Sequence, residues 1–185
     1  MIYWLILSAV LVIIDQVVKA AVVANLVNVG ASIPVIDGFF HITYVRNAGM
    51  VFGIGGDESG VPLIVFLVIG TIAMIAFGYM IAKNDYKDRR RFFYALALAL
   101  LLAGALGNLL DRVFQVDHRV VDYLDFRGIW DYVFNFADMC LSVGIAVYLF
   151  DQFFLDPKRL REDARKAELA AFTEPIEKGA NDDAA

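Results

Sequence analysis

The chain has 185 residues, 60% of them hydrophobic, and a formal net charge of −5. Soluble domains average about 45–50% apolar residues, so this composition, with a mean hydropathy of +0.64, excludes an ordinary soluble globule and describes one small membrane domain. The acidic balance offers no footing for nucleic acid. One cysteine, Cys140, excludes an intrachain disulfide, and two histidines, His41 and His118, supply little for a metal site.

Four apolar runs are long enough to span, since ~20 residues cross the hydrocarbon core. The first covers 2–24 and holds Asp15, Gln16 and Lys19. The second, 61–82, is uncharged. The third, 92–110, is also uncharged and ends at Asp111-Arg112. The fourth, 132–150, contains Asp138 near its start. Lipid cannot satisfy a bare backbone, so each run is expected to be a helix. The first run lacks a basic leader and is interrupted by charge, so it is expected to be a span rather than a cleaved signal peptide.

Basic residues set the expected orientation. Lys83, Lys87, Arg89, Arg90 and Arg91 lie between the second and third runs, and Lys158, Arg159, Arg161, Arg165 and Lys166 follow the fourth. Positive loops stay in the cytoplasm. Both termini are then inside, and loops 27–60 and 113–131 are outside. Loop 27–60 carries β-formers at 33–36 and 39–45 around Asp37-Gly38, which predicts short strands and a turn. It is unusually apolar, through Phe39, Phe40, Tyr44, Met50, Val51, Phe52 and Ile54. That suits a small sheet resting on the membrane, or a plug covering the helix ends. The membrane domain is taken as 1–156. The charged tail, 157–185, is expected to be helical over 158–172 and disordered beyond Thr173.

Helix rise places Asp15, Lys19, Asn108, Asp111, Arg112, Asn135 and Asp138 in the outer third of the membrane or at its boundary. Asp122 lies in the loop joining two of those ends. Asp15 and Lys19, at i,i+4, either neutralise one another or join the site. Asp111 and Arg112 are expected to pair at the interface. Asn108 and Asn135 read as interhelical hydrogen-bonding groups or as site residues. Gly104 and Gly107 are expected to permit close packing. Asp138, inside a span, is a site by default.

Ser142 lacks a lysine or histidine beside it for hydrolase chemistry, and Cys140 with His118 is a weak pairing, since Cys140 lies on a different helix face from Asp138 and a lone cysteine in an apolar helix is usually packing. Two adjacent carboxylates, by contrast, hydrolyse an amide unaided, because they share one proton and divide the acid and base roles. The 16 positions from Asp122 to Asp138 permit such a meeting without forcing it. The alternative is a polar-lined transporter or proton relay, although no inverted repeat is visible.

These residues resemble the lipoprotein signal peptidases, or signal peptidase II. Five segments carry the likeness over about residues 1–155: Asp15-Gln16-Val-Val-Lys19, Asn47-Ala-Gly49-Met-Val-Phe52-Gly53, Gly107-Asn108-Leu-Leu-Asp111-Arg112, Val120-Val121-Asp122-Tyr123 and Phe134-Asn135-Phe-Ala137-Asp138. The resemblance implies four transmembrane helices with a small extracytoplasmic β-cradle. It also implies an aspartyl endopeptidase of the bacterial inner membrane, cutting before the diacylglyceryl-cysteine of prolipoproteins and inhibited by globomycin. The implied catalytic pair is Asp122 and Asp138. Supporting positions fall on Asp15, Lys19, Asn47, Gly49, Asn108, Asp111, Arg112, Asn135 and Ala137. Asn108 and Arg112 would position the substrate backbone, and Asn135 would orient the pair. The expected partners are prolipoproteins and membrane lipids, with no nucleic acid; the chain is expected to be monomeric and to use neither cofactor nor metal. Tyr123 and Leu141 depart conservatively from the family's usual phenylalanine and isoleucine.

Overall fold

The computed structural model describes residues 1–49 and 63–182. Met50, Val51, Phe52, Gly53 and Ile54, named above, and positions 61 and 62 lie outside the described residues. Four helices are long and apolar enough to cross a membrane. They are α1 (Ile2–Asn25), α2 (Leu63–Lys83), α3 (Phe92–Phe114, entered through a 3₁₀ turn at Arg89–Arg91) and α4 (Phe136–Phe150).

Helix α3 is the axis of the bundle, buried along most of its length, with α1, α2 and α4 packed around it. Small residues let α4 approach closely. A Cβ on Gly104 would lie 2.5 Å from the Ala137 carbonyl oxygen, and one on Gly144 would meet Leu101 at 3.0 Å. Most of α2 faces outward, as an apolar helix in lipid can.

Three strands cap the end where α1 and α3 finish and α4 begins. They are β1 (Ser32–Ile36), β2 (Phe40–Asn47) and β3 (Val120–Phe126), antiparallel in that order. The β1–β2 turn uses Gly38 at φ +70°, a conformation glycine adopts without strain. Val22 of α1 and Leu26 at its C-terminal cap pack against Tyr44, Val121 and Tyr123, which fastens the sheet to the bundle. The first two strands match expectation. The third corrects it: Asp122 sits on a strand paired with Val45, not in a plain loop. Val120-Val121-Asp122-Tyr123-Leu124-Asp125-Phe126 shows no two-residue alternation, and its partner lies two membrane helices earlier in the chain.

Two helix bounds also change. Helix α3 continues four residues past Leu110, to Phe114. Helix α4 begins at Phe136 rather than Tyr132. Phe134 instead pairs with Leu124 through backbone bonds of 2.7 and 3.1 Å, and Asn135 caps the helix. A π turn at Asp151–Leu155 links α4 to α5 (Asp156–Asp182) without a break. Pro157 cannot donate and its ring crowds the carbonyl four residues back, which the widened turn accommodates. The tail is thus helical beyond Thr173, to Asp182. Extending a formed helix is easier than nucleating one.

Candidate functional site

Behind the sheet, Lys19 is buried at 1% exposure with both Asp15 and Asp111 at 2.9 Å. Its third N–H reaches the Asn108 Oδ1 at 3.2 Å, so every ammonium proton is used. Two carboxylates on one lysine leave a surplus negative charge, and backbone donors meet it. Asp15 accepts the Ala137 N–H at 3.0 Å, in the first turn of α4, where the helix dipole favours an anion. Asp111 accepts the Val121 N–H at 3.0 Å and the Gln16 amide at 3.0 Å. The cluster therefore ties α1, α3, α4 and β3 at one point. Asp15–Lys19 neutralisation is present, within a larger group. The expected Asp111–Arg112 pair is not: adjacent residues on a helix point about 100° apart, and Asp111 turns inward to Lys19 while Arg112 faces the cavity.

That cavity, of about 750 Å³, is lined by Asp122 and Asp138 together with Asn47, Gly49, Asn108 and Arg112. Three asparagines orient the two acids. Asn47 Nδ2 donates to Asp122 Oδ2 at 2.8 Å, Asn135 Nδ2 to Asp122 Oδ1 at 2.6 Å, and Asn108 Nδ2 to Asp138 Oδ1 at 2.7 Å. Each amide is turned that way by a group that can only donate. Lys19 holds the Asn108 oxygen, the Gly49 N–H holds that of Asn47 (2.8 Å), and the Asp138 N–H holds that of Asn135 (2.9 Å). Asn135 and Asp138 form a reciprocal capping box, in which the Asp138 Oδ2 accepts the Asn135 N–H at 3.1 Å. One residue thus contacts both carboxylates and begins α4.

Asp122 is 1% exposed. Burial, then the nearby Asp138 carboxylate, pushes its pKa up to about 7, against the opposing hydrogen bonds from Asn47 and Asn135. Near neutral pH this acid is poised to hold or release a proton. Arg112 donates to the Asn108 carbonyl at 3.1 Å and lies over the Phe66 ring, 5.0 Å from its centroid. Its Nε is buried without a partner among the described residues. Gly49, at φ +122°, presses on the same ring: a Cβ there would come within 2.3 Å of Phe66.

All eleven expected site residues therefore meet in two layers. Asp122, Asp138, Asn47, Gly49, Asn108 and Arg112 line the cavity, while Asp15, Lys19, Asp111, Asn135 and Ala137 stand behind it. Ser142 also lines the cavity, with no lysine or histidine among its walls. His118 is exposed and bonds the Arg112 carbonyl at 2.9 Å, and neither it nor Cys140 lines the cavity. Gln16 and Phe66 were missed as participants. Gln16 stands in the Asp15-Lys19 segment, where its place on the α3-facing side was a usable signal. Phe66 is one apolar residue in an apolar helix and gives none. The remaining walls are apolar, including Phe126, Trp130, Tyr132, Met139 and Val143.

A four-span bundle with a buried and a half-buried carboxylate facing one apolar-walled cavity defines a membrane-embedded protein with its candidate site at one end of the spans. The comparisons narrow that class. Residues 7–154 match the family model for signal peptidase (SPase) II. The chain is 38% identical to a lipoprotein signal peptidase of Fusobacterium nucleatum, over 84% of this chain and 89% of that one. It is 39% identical to a lipoprotein signal peptidase of Bacillus pumilus, over 86% and 97%. Two solved structures, described as a bacterial membrane enzyme at 2.3 and 1.9 Å resolution, superpose with TM-scores of 0.68 and 0.69 at 33% and 32% identity. Each covers 83% of this chain, with 91% and 94% of the solved chains matched. The chain belongs to the signal peptidase II family and is a multi-pass bacterial membrane peptidase, which displaces the transporter alternative.

Proposed function

We propose that this chain is an aspartyl endopeptidase that removes the signal peptide from diacylglyceryl-modified prolipoproteins, cutting just before the lipidated cysteine. The observation that carries the reading is that Asp122 and Asp138 line one cavity and share Asn135 as a partner. The two acids hold a single proton between them. The ionised member takes a proton from water, and the oxygen attacks the scissile carbonyl. The protonated member donates to the carbonyl oxygen as the tetrahedral intermediate forms, and the departing amine is protonated as the C–N bond breaks. The two titrate as a unit.

Arg112 and Asn108 position the substrate backbone, the arginine through its unpartnered Nε. The apolar walls along α4 accept the signal-peptide residues and acyl chains. In the orientation that the basic loops favour, both termini are cytoplasmic and the cavity opens at the outer boundary, where acyl chains stay in lipid and the scissile bond meets water.

The test uses a lipidated proprotein in detergent micelles, with cleavage read as a size shift and blocked by globomycin. Asp122→Asn and Asp138→Asn should each abolish cleavage while leaving the protein folded and inserted. Full activity in either variant refutes the dyad.

A further inference from the structure

Helix α2 gives most of its surface to lipid, yet one of its rings reaches the residues of the reaction cavity. Phe66 lies one turn before Gly70 on the same helix face, and a Cβ on Gly70 would meet Leu109 of α3 at 3.2 Å. A short link joins α2 to α3, so the two run antiparallel. Their close approach at Gly70 sets Phe66 level with Arg112, one turn beyond Leu109. The guanidinium carbon of Arg112 stands 5.0 Å from the ring centroid. The Cε2–Cζ edge of the ring is closed off by Gly49, where a Cβ would lie 2.3 Å from both atoms.

Arg112 needs such a support. It lines a cavity with Asp122 and Asp138, and both attract it, yet it makes no ion pair with either among the described residues. Its hydrogen bonding within the described residues is one contact, from Nη1 to the Asn108 carbonyl at 3.1 Å. A guanidinium carries five N–H donors, so most of the fork is left for a ligand, and the buried Nε is open. One carbonyl does not fix the plane of a guanidinium. A ring face beneath it does, through contact and through the negative face of the π system. Gly49 in turn donates its N–H to the Asn47 Oδ1, which aims that amide at Asp122. The same ring therefore backs the arginine and the turn that orients one of the acids.

We propose that Phe66 is a positioning residue for the peptidase reaction, acting through Arg112. Its ring holds the guanidinium off the two carboxylates in the empty enzyme and presents the open N–H groups to the backbone carbonyls of the substrate. The role rests on the reading of Arg112 as a substrate-backbone contact. Without the ring the arginine closes on the acids, and the substrate must displace it. The loss then falls on substrate binding rather than on the chemistry of the bound state.

Steady-state cleavage of a lipidated proprotein in micelles tests it. Phe66→Leu keeps apolar bulk and removes the ring face. It should raise KM by about twofold to thirtyfold, the span of a cation–π contact from exposed to desolvated, with kcat close to wild type. Loss of uniform binding has that signature. A merely structural ring would lower the active fraction, and so kcat, without moving KM, so the reading survives partial misfolding. Phe66→Tyr keeps the face and should keep the wild-type KM. Tyr79→Leu, which removes an exposed ring near the other end of α2, should change neither constant. Binding of the same proprotein to the Asp138→Asn protein completes a cycle: Arg112→Gln should weaken it, and adding Phe66→Leu should weaken it no further. A wild-type KM in Phe66→Leu, a KM in Phe66→Tyr as high as in Phe66→Leu, or additive losses in the cycle would each overturn the role of Phe66. Unchanged binding in Arg112→Gln would instead sink the reading of Arg112 on which that role rests.

Discussion

The Oδ1 of Asp15 accepts the backbone N–H of Ala137 at 3.0 Å, joining the first span to the first turn of the last. This bond sets where α4 begins, and with it the position of Asp138. Its geometry depends on Lys19, which holds the other Asp15 oxygen and Asp111. Lys19→Met would leave two buried carboxylates without their cation and release the Asn108 amide. Removing one partner of a buried pair typically destabilises by about 3–5 kcal/mol. A large fall in thermal midpoint in detergent is expected, together with loss of cleavage. Lys19→Met/Asp111→Asn should regain part of the stability, because one uncompensated charge is gone. A single variant as stable as wild type would show that the cluster does not hold the bundle.

Gly107 is a second condition for the same bond. A Cβ there would lie 2.7 Å from the Asp15 Oδ2 and 2.9 Å from the Ala137 Cβ. Gly107→Ala must therefore separate α3 from α1 and α4, at a cost of about 1–3 kcal/mol for overpacking. Gly144→Ala meets Leu101 at 3.0–3.1 Å and should be milder, whereas Gly78→Ala has open space and should be neutral. Thermal midpoints should follow that order. Cleavage by Gly107→Ala should fall more than its stability does, because the displaced groups are those that place Asp138.

Four spans, the β1–β2 hairpin and the convergence of polar groups at one end of the spans were legible in the sequence, because apolar run length and polar groups at span ends are local signals; Asn47, Gly49 and Ala137 entered only through the family resemblance. What was not legible depended on distant partners. Strand β3 contains two aspartates, a residue type depleted in strands, and only pairing with β2 explains them. The Asp111–Arg112 pair was expected from adjacency. A buried lysine on another helix outcompetes it, since Lys19 needs two acids and Arg112 already faces the cavity. Lys19 was visible as a polar residue, but not as the group that turns the Asn108 amide toward Asp138.

Arg159 anchors the start of α5. It meets Asp151 with two bonds, of 2.9 and 2.6 Å, and reaches the Arg90 carbonyl at 2.8 Å in the turn before α3. Asp151 is fully buried. Arg159→Lys keeps the charge but cannot form the planar two-point contact or span to Arg90. A lower thermal midpoint is expected for Arg159→Lys and a larger fall for Arg159→Ala, while Arg159→Ala/Asp151→Asn should recover part of it. Limited proteolysis should cut the α5 junction faster in both single variants. Equal protection in all of them would show that the pair does not fasten α5.

Asp122 makes both function and stability depend on pH. Its folded-state pKa, about 7, lies above the ordinary 3.8. The folded chain therefore holds this proton more tightly than the unfolded chain. The associated stability is fully present below pH ~4 and is lost as pH rises through about 7. Asp122→Asn removes the ionisation but keeps a side chain of the same shape. Its thermal midpoint should exceed that of the wild type at pH 8, with the gap closing toward pH 4. For the proposed dyad, cleavage should decline above about pH 7, as the shared proton is lost, and again in acid, where no ionised member remains to activate water. A rate that keeps rising from pH 7 to pH 9, measured with the protein intact, would exclude a proton shared by these two acids as the catalytic acid.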